Sequence, residues 1–529
     1  MPVPPTQFLL PDNWDIRKSI ELISAGFNTT VEPEHQVKLT YYDSFDWRLY
    51  LGGVSLVQEV QGRERRLRLE DLTQAQNRYL QPSPTKVPAF VDQLPDSPLR
   101  QELAALLEMR ALIPLVEVHQ QITVIRLLDN EQKTVLRLRL EAGQATEAGK
   151  RAFSSLGIRL TLLPVRGYDR ALAKMQAYLI DEFELLEADI LLLQQALTKV
   201  GRAAGDYSSK LNFALQPDAR SDVVAKQIHL HLLDTLERNI SGTKQDIDSE
   251  FLHDLRVAVR RTRSALTQIK GVFTEEEIER FKSRLAWIGQ ITGATRDLDV
   301  YLLDFRDYQR SLPEAFQQDL EPLHHYLVAH QKLEQRAMVR KINSPHFRIL
   351  LKEWREFLEA PVPEISPTPK GNVAIKSLAD KRIYRMFNRV LDEGLAINQD
   401  SPHEMLHELR KSCKKLRYLL EFFQSLYPAK EVKGLVKVLK ILLNNLGDFQ
   451  DLEVQAYKLR EFAHDMVKEG DVPADTLLAM GMLVDGLLKR QQQARDEFAG
   501  RFAVFADEDN RANYQQLFAP KKKRAKTKV

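Results

Sequence analysis

Apolar and polar positions divide the chain into two regimes. Up to about residue 165, short alternating runs are separated by turn residues: Val37–Tyr42, Val54–Val60, Arg65–Leu69, Ile122–Leu128 and Thr134–Leu140. That spacing predicts β-strands. Asp129-Asn130-Glu131-Gln132, between the last two, reads as a hairpin turn. A helix over Asp15–Ala25 opens the region, with Asp12 or Asn13 as its cap, and Pro82, Pro84 and Pro88 mark a loop. From about Asp169 the apolar spacing changes to three and four and stays so almost to the end, which predicts consecutive helices. The fold class expected is an α+β, barrel-like N-terminal domain followed by an all-α domain.

Proline divides the helical part. Pro361, Pro363, Pro367 and Pro369 cannot continue a helix, because proline lacks the backbone donor and restricts its predecessor. Related text lies on either side. His253-Asp-Leu-Arg-Val-Ala-Val-Arg-Arg-Thr-Arg263 corresponds to His407-Glu-Leu-Arg-Lys-Ser-Cys-Lys-Lys-Leu-Arg417, 154 residues later. Gly293 falls on Gly447, and Arg296-Asp-Leu-Asp-Val300 on Gln450-Asp-Leu-Glu-Val454, with no gap over 48 residues. Two copies of one helical unit, related by a pseudo-twofold axis, account for this register. The expected organisation is a barrel-like domain over 1–185, a connecting helix or linker over 186–214, a first helical half over 215–360, a proline-rich linker over 361–371, a second half over 372–515 and a basic disordered tail over 516–529.

Composition narrows the classes. Hydrophobic residues at 43% and charged residues at 28% of 529 describe a globular chain of two to four domains. Cys413 is the single cysteine, which rules out an intrachain disulfide and any multi-cysteine metal site and fits a reducing cytoplasm. Met1–Pro11 lacks the features of a signal peptide, and no run of about 20 apolar residues occurs, so no membrane span is expected. The net charge of +3 is too small for the whole molecule to act as a polycation. Anion binding must come from local placement.

Such placement is visible in the repeat. At about 100° per residue, Leu255, Val259, Thr262, Leu266 and Ile269 share one arc, while His253, Arg256, Arg260 and Arg263 form a ridge nearly opposite, with Arg261 to its side. The second copy places Leu409, Cys413, Leu416, Leu420 and Phe423 on the apolar arc and His407, Arg410, Lys414 and Arg417 on the ridge. Like charges one turn apart repel, so something anionic should offset them. Asp297, Asp299, Asp451 and Glu453 are internal candidates, and a solvated face is the other bland reading. Two ridges turned toward one groove would instead hold a polyanion, for which guanidinium groups are suited by their forked donors and permanent charge. A bound polyanion would also raise the pKa of His253 and His407, so that binding strengthens as pH falls. Neither histidine has the spacing of a metal site, and no metal or other cofactor is expected. His324, His325 and His330 lack supporting carboxylates, and Cys413 lies on the buried arc.

At these ridge residues the chain resembles the CHAD family, whose signature is a histidine followed by basic residues three, seven and ten positions later in each of two halves. The match covers about residues 215–510. The resemblance implies two pseudo-symmetric four-helix bundles with a basic groove that binds inorganic polyphosphate. The N-terminal region is similar to a CYTH-type triphosphate tunnel domain, which often precedes CHAD. Tyr41-Tyr-Asp-Ser-Phe-Asp-Trp-Arg-Leu-Tyr50 is similar to its second-strand motif and Phe8-Leu-Leu-Pro-Asp12 to the end of its first strand. Where that family has Glu-x-Glu-x-Lys, this chain has Val3-Pro-Pro-Thr-Gln7; Val57-Gln58-Glu59 replaces a pair of arginines, and Thr161-Leu-Leu-Pro164 an acidic strand. Aligning Glu34-His-Gln-Val-Lys38 with the motif leaves no room for the intervening helix.

The expectation is therefore a non-enzymatic binder of inorganic polyphosphate or another polyanion, with a degenerate barrel as scaffold or docking module. The alternatives are a metal-dependent triphosphatase or polyphosphatase acting through the barrel, and nucleic-acid binding, which would call for stacking aromatics on the ridges. The basic tail, Lys521–Val529, is either solvated or a supplementary polyanion contact.

Overall fold

Alternating apolar positions near the start of the chain pair into one antiparallel sheet. In the computed structural model, which describes residues 6–73, 76–188, 190–211, 213–470 and 472–520, the strands are β1 (Thr6–Leu9), β2 (Thr29–Val31), β3 (His35–Asp43), β4 (Val54–Gln61), β5 (Glu64–Asp71), β6 (Gln76–Pro82), β7 (Ile113–Leu128), β8 (Thr134–Glu147) and β9 (Ser154–Pro164). Their order is β1-β9-β8-β7-β3-β4-β5-β6, with β2 added to β7. The helices of this region are α1 (Ile16–Ala25), α2 (Arg48–Leu51), α3 (Pro98–Leu107), α4 (Asp169–Phe183) and α5 (Leu192–Lys199). α1 is capped by Asp15, whose Oδ1 accepts the Lys18 N–H at 2.8 Å, and not by Asp12 or Asn13. β7 and β8 run well beyond the expected runs because their polar positions alternate with apolar ones that pack on both sides.

The sheet buries both faces. On β8, Leu136, Leu138 and Leu140 join a core with Phe8, Ile23, Met175 and Leu179 under α1 and α4. The register turns Arg139 and Glu141 to the other face, beside Thr161 and Arg159 of β9. There α5 packs on β7, β8 and β9, and Leu193, Ala196 and Leu197 share a core with Val37, Leu39, Tyr41, Val57 and Val118. Residues 186–208, part of the stretch expected as a connector over 186–214, lie in the first compact unit, Met1–Ser208, and the second unit begins at Ser209.

The second unit is helical: α6 (Ser221–Gln245), α7 (Ser249–Gln268), α8 (Glu275–Ile291), α9 (Gly293–Ser311), α10 (Glu314–Gln317), α11 (Glu321–Ile342), α12 (Pro345–Glu359), α13 (Ile375–Leu395), α14 (His403–Phe423), α15 (Ala429–Glu469), α16 (Ala474–Phe505) and α17 (Glu508–Phe518). The proline-rich residues lie between α12 and α13, as their chemistry requires. α8 and α15 start 154 residues apart, yet α8 ends before Thr292, whereas α15 runs on through Leu446 at the same offset. Thr292 Oγ1 bonds back to the Ile288 carbonyl at 2.8 Å, a bond that bends helices, whereas Leu446 is a buried core residue.

Both halves contribute to both cores. The larger joins residues of α6, α7, α8 and α12 to residues of α13, α14, α15 and α16. The smaller is built from Leu298 and Phe305 of α9, Leu323 of α11, Leu459 and Phe462 of α15, and Leu483 of α16. Among the described residues, no helix is long and apolar enough to cross a membrane. The tail residues 521–529 lie outside the described residues.

Candidate anion-binding site

α7 begins at Asp248, whose side chain accepts the Glu250 N–H at 2.9 Å. Its apolar arc, Leu255, Val259, Thr262, Leu266 and Ile269, is buried, as is that of α14, Leu409, Cys413, Leu416, Leu420 and Phe423. Burying those arcs fixes the rotation of both helices, so the ridges face away from the core. α7 and α14 pack against each other. Arg261 Nη1 donates to the Ser209 carbonyl at 2.7 Å and Nη2 to Glu421 at 3.1 Å, while Arg417 Nε donates to the same Glu421 at 2.7 Å. This carboxylate, absent from the sequence expectation, ties the two ridge helices together; its spacing of four from Arg417 was the available signal.

Residues of the two ridges influence one another electrostatically. Burial, and then the charges of Arg410, Arg260 and Arg417, push the Lys414 ammonium down to about 8, with Asp451 opposing them. Arg260 precedes Lys414 by 154 residues, the offset that relates the two ridges in the sequence. Arg260 and Arg263 are exposed, and neither they nor Lys414 form an ion pair among the described residues.

The other ridge residues are partly occupied within the protein. Arg256 Nη1 donates to the Gly289 carbonyl and Thr292 Oγ1, both at 2.9 Å; burial lowers its pKa, with Asp297 opposing and Arg260 and Arg296 adding to the shift. Arg410 donates to Gln450 Oε1 at 2.7 Å and to both oxygens of Asp451 at 3.0 and 2.8 Å. Arg296 Nη2 donates to His253 Nδ1 at 3.1 Å, which puts the ring proton on Nε2 and a cation against the histidine expected to gain charge. His407 is half-buried on the α14 ridge. Asp299 is not a ridge partner: Gln331 Nε2 donates to it at 3.0 Å, and burial pushes its carboxyl up to about 6. Glu453 pairs with His403 at 3.0 Å instead of with an arginine.

Two equivalent glycines make room for two equivalent arginines. A β-carbon on Gly293 would stand 3.8 Å from Arg256 Nη1, and one on Gly447 would stand 3.7 Å from Arg410 Nη2. Alanine would fit at either position in ordinary van der Waals contact.

The face of the sheet under α5 carries charge that sequence reading did not gather: Glu59, Arg68, Glu70, Arg139, Glu141 and Arg159. Arg68 pairs with Glu59 and Glu70, each at 3.0 Å, and Arg139 with Glu141 at 3.0 Å. Arg159 donates to Gln7 Oε1 and, at 2.9 Å, to Gln195 Oε1 of α5. Glu59, expected only as a replacement for a cation, is thus half of an internal pair.

Residues 227–460 match the model of the CHAD domain family. The chain is similar to the crystal structure of the CHAD domain from the plant Ricinus communis, at 23% identity over 59% of this chain and 97% of that one, with a TM-score of 0.44. It is also similar to PptA from Streptomyces chartreusis, at 16% identity over 54% and 99% of the two chains, TM-score 0.42. A putative adenylyl cyclase from Hippeastrum, described as having a dominant triphosphatase activity, aligns at 10% identity over 36% and 92%, TM-score 0.24. No curated protein matches the chain.

Proposed function

We propose that the helical unit, with its CHAD domain at residues 227–460, binds inorganic polyphosphate along the ridges of α7 and α14 without chemical turnover. The observation that carries this reading is the packing of α7 on α14 with Arg260 and Lys414 free of ion pairs among the described residues. Cations 154 residues apart in the sequence thus act on one another with no carboxylate paired to either among the described residues, and a flexible chain of phosphates can follow a row of cations. Arg256, Arg263, Arg410 and Arg417 flank that centre, and His253 and His407 mark its ends. A polyphosphate would displace Asp451 from Arg410 or share the guanidinium with it. The first unit then serves as scaffold or docking module.

Isothermal titration with polyphosphate of defined length at two salt concentrations tests this. Micromolar or tighter binding that weakens steeply with salt is expected; binding indifferent to reversal of Arg260 and Lys414 would overturn it. The second reading, hydrolysis of a triphosphate on the sheet, must reckon with Glu59, Glu70 and Glu141 already committed to Arg68 and Arg139. Phosphate release stimulated by magnesium or manganese and abolished by chelator would favour it.

A further inference from the structure

The turn that ends α7 gathers a second group of cations. Ile269 closes the helix by donating its N–H to the Ala265 carbonyl, and Gly271, at φ +76°, reverses the chain in the left-handed region open to glycine. The proline-rich linker is fastened here: Lys370 N–H donates to the Gly271 carbonyl at 3.1 Å, and Thr368 Oγ1 to the Val272 carbonyl at 3.0 Å. The Lys370 stem therefore lies along Gly271, its Cδ 3.3 Å from where a β-carbon on that glycine would stand. From α13, Arg382 Nη2 donates to the Lys270 carbonyl at 3.0 Å, bringing Lys381 and Arg385 toward the same turn.

Lys270, Lys370, Lys381, Arg382 and Arg385 thus come from three separate segments. Among the described residues none of the five pairs with a carboxylate, whereas nearby arginines do: Arg355 with Asp234, Glu237 and Glu359, and Arg284 with Glu353. The charges bearing most on Lys370 are all positive, with Arg382 foremost. Concentrated like charge without an internal counterion costs stability. Backbone hydrogen bonds hold this one in place.

Lys270 lies seven residues beyond Arg263, just past the C-terminal end of α7. We propose that this five-cation cluster is a second binding segment for a condensed phosphate, engaging the part of a long chain that extends past the ridges and so giving the protein a preference for long chains. The inference rests on the reading of the ridges as a polyphosphate site and adds to it.

The test is isothermal titration of the full chain, at low salt, with tripolyphosphate and with long-chain polyphosphate. Lys370→Glu with Arg382→Glu is compared with Arg260→Glu with Lys414→Glu, and with a control of equal charge change on exposed α15 positions, Lys430→Glu with Lys433→Glu. The cluster variant should lose tenfold or more in long-chain affinity while still binding tripolyphosphate at the ridges, and the control should change less than twofold. A cluster variant that matches the control overturns the inference and leaves the ridge reading standing; wild-type protein that binds neither anion overturns both. Should the reversals disturb the helical circular dichroism, Lys370→Gln with Arg382→Gln gives the same comparison with a smaller perturbation.

Discussion

Arg260 and Lys414 stand 154 residues apart in the sequence, and the charge of the one guanidinium acts against the other's ammonium where α7 packs on α14. The buried arcs of both helices enforce this meeting, since each helix must turn its leucines inward. On the proposed reading, an anion would relieve this repulsion, and its occupancy would then depend on pH.

Lys414 gives the sign of that sensitivity. Its proton leaves at about 8 in the folded protein, against 10.5 ordinarily. Between those values the unfolded chain holds more protons, so stability rises as pH climbs from about 8 to about 10.5. Anion binding, which needs the ammonium, should weaken over the same rise. Titration at pH 7 and pH 9 is expected to show a marked loss for the wild type and a much smaller one for Lys414→Arg, whose charge persists.

Reversing the central pair, Arg260→Glu with Lys414→Glu, should leave the helical circular dichroism intact and weaken polyphosphate binding by about 100-fold or more at low salt. Two charge-assisted contacts of about 1.5–3 kcal/mol each are lost. Affinity unchanged within twofold would remove these residues from the site.

Reversal at Arg256 and Arg410 should behave differently. Both arginines are bonded within the protein, to Gly289 and Thr292 and to Gln450 and Asp451. Arg256→Glu with Arg410→Glu is therefore expected to lower Tm by several degrees besides weakening binding, and differential scanning calorimetry separates the two effects.

His229 sets the acid limit of the helical unit. It is fully buried against Trp354 and Phe273, neither ring nitrogen has a hydrogen-bond partner among the described residues, and burial holds its pKa down to about 3. The unfolded chain takes up the proton near 6.5, so stability falls as pH drops from about 6.5 toward 3. His229→Leu should flatten that decline, as read from denaturation midpoints at pH 7 and pH 4.5.

Close backbone approach is testable at Gly394. A β-carbon there would stand 2.0 Å from the ring of buried Phe502, so α13 and α16 would have to separate. Gly394→Ala should destabilise by about 1–3 kcal/mol, measured from the denaturant midpoint.

The ridges were legible because a helical period converts sequence spacing directly into azimuth, and five buried residues on each opposite arc agree with that conversion. What spacing does not encode is which acid lies across a packed interface. Asp451 reaches Arg410, while Asp299 and Glu453, which look equally placed, turn to Gln331 and His403. The break at Thr292 was hidden for a similar reason, since threonine is tolerated within helices and bends one only when its hydroxyl bonds back. In the first unit, alternation marked the strands, but α5 looked like a connector because its partners on β7, β8 and β9 are distant in sequence.

The smaller helical core, where α9 and α11 from before the proline-rich stretch interlock with α15 and α16 from after it, has a consequence for biosynthesis. A ribosome that has released only the part before the proline-rich stretch has exposed Leu298, Phe305 and Leu323 without the α15 and α16 residues that complete their core. That nascent segment must stay in the care of chaperones until the last long helix emerges, and a chain cut within the linker should yield two fragments that recover solubility only when expressed together.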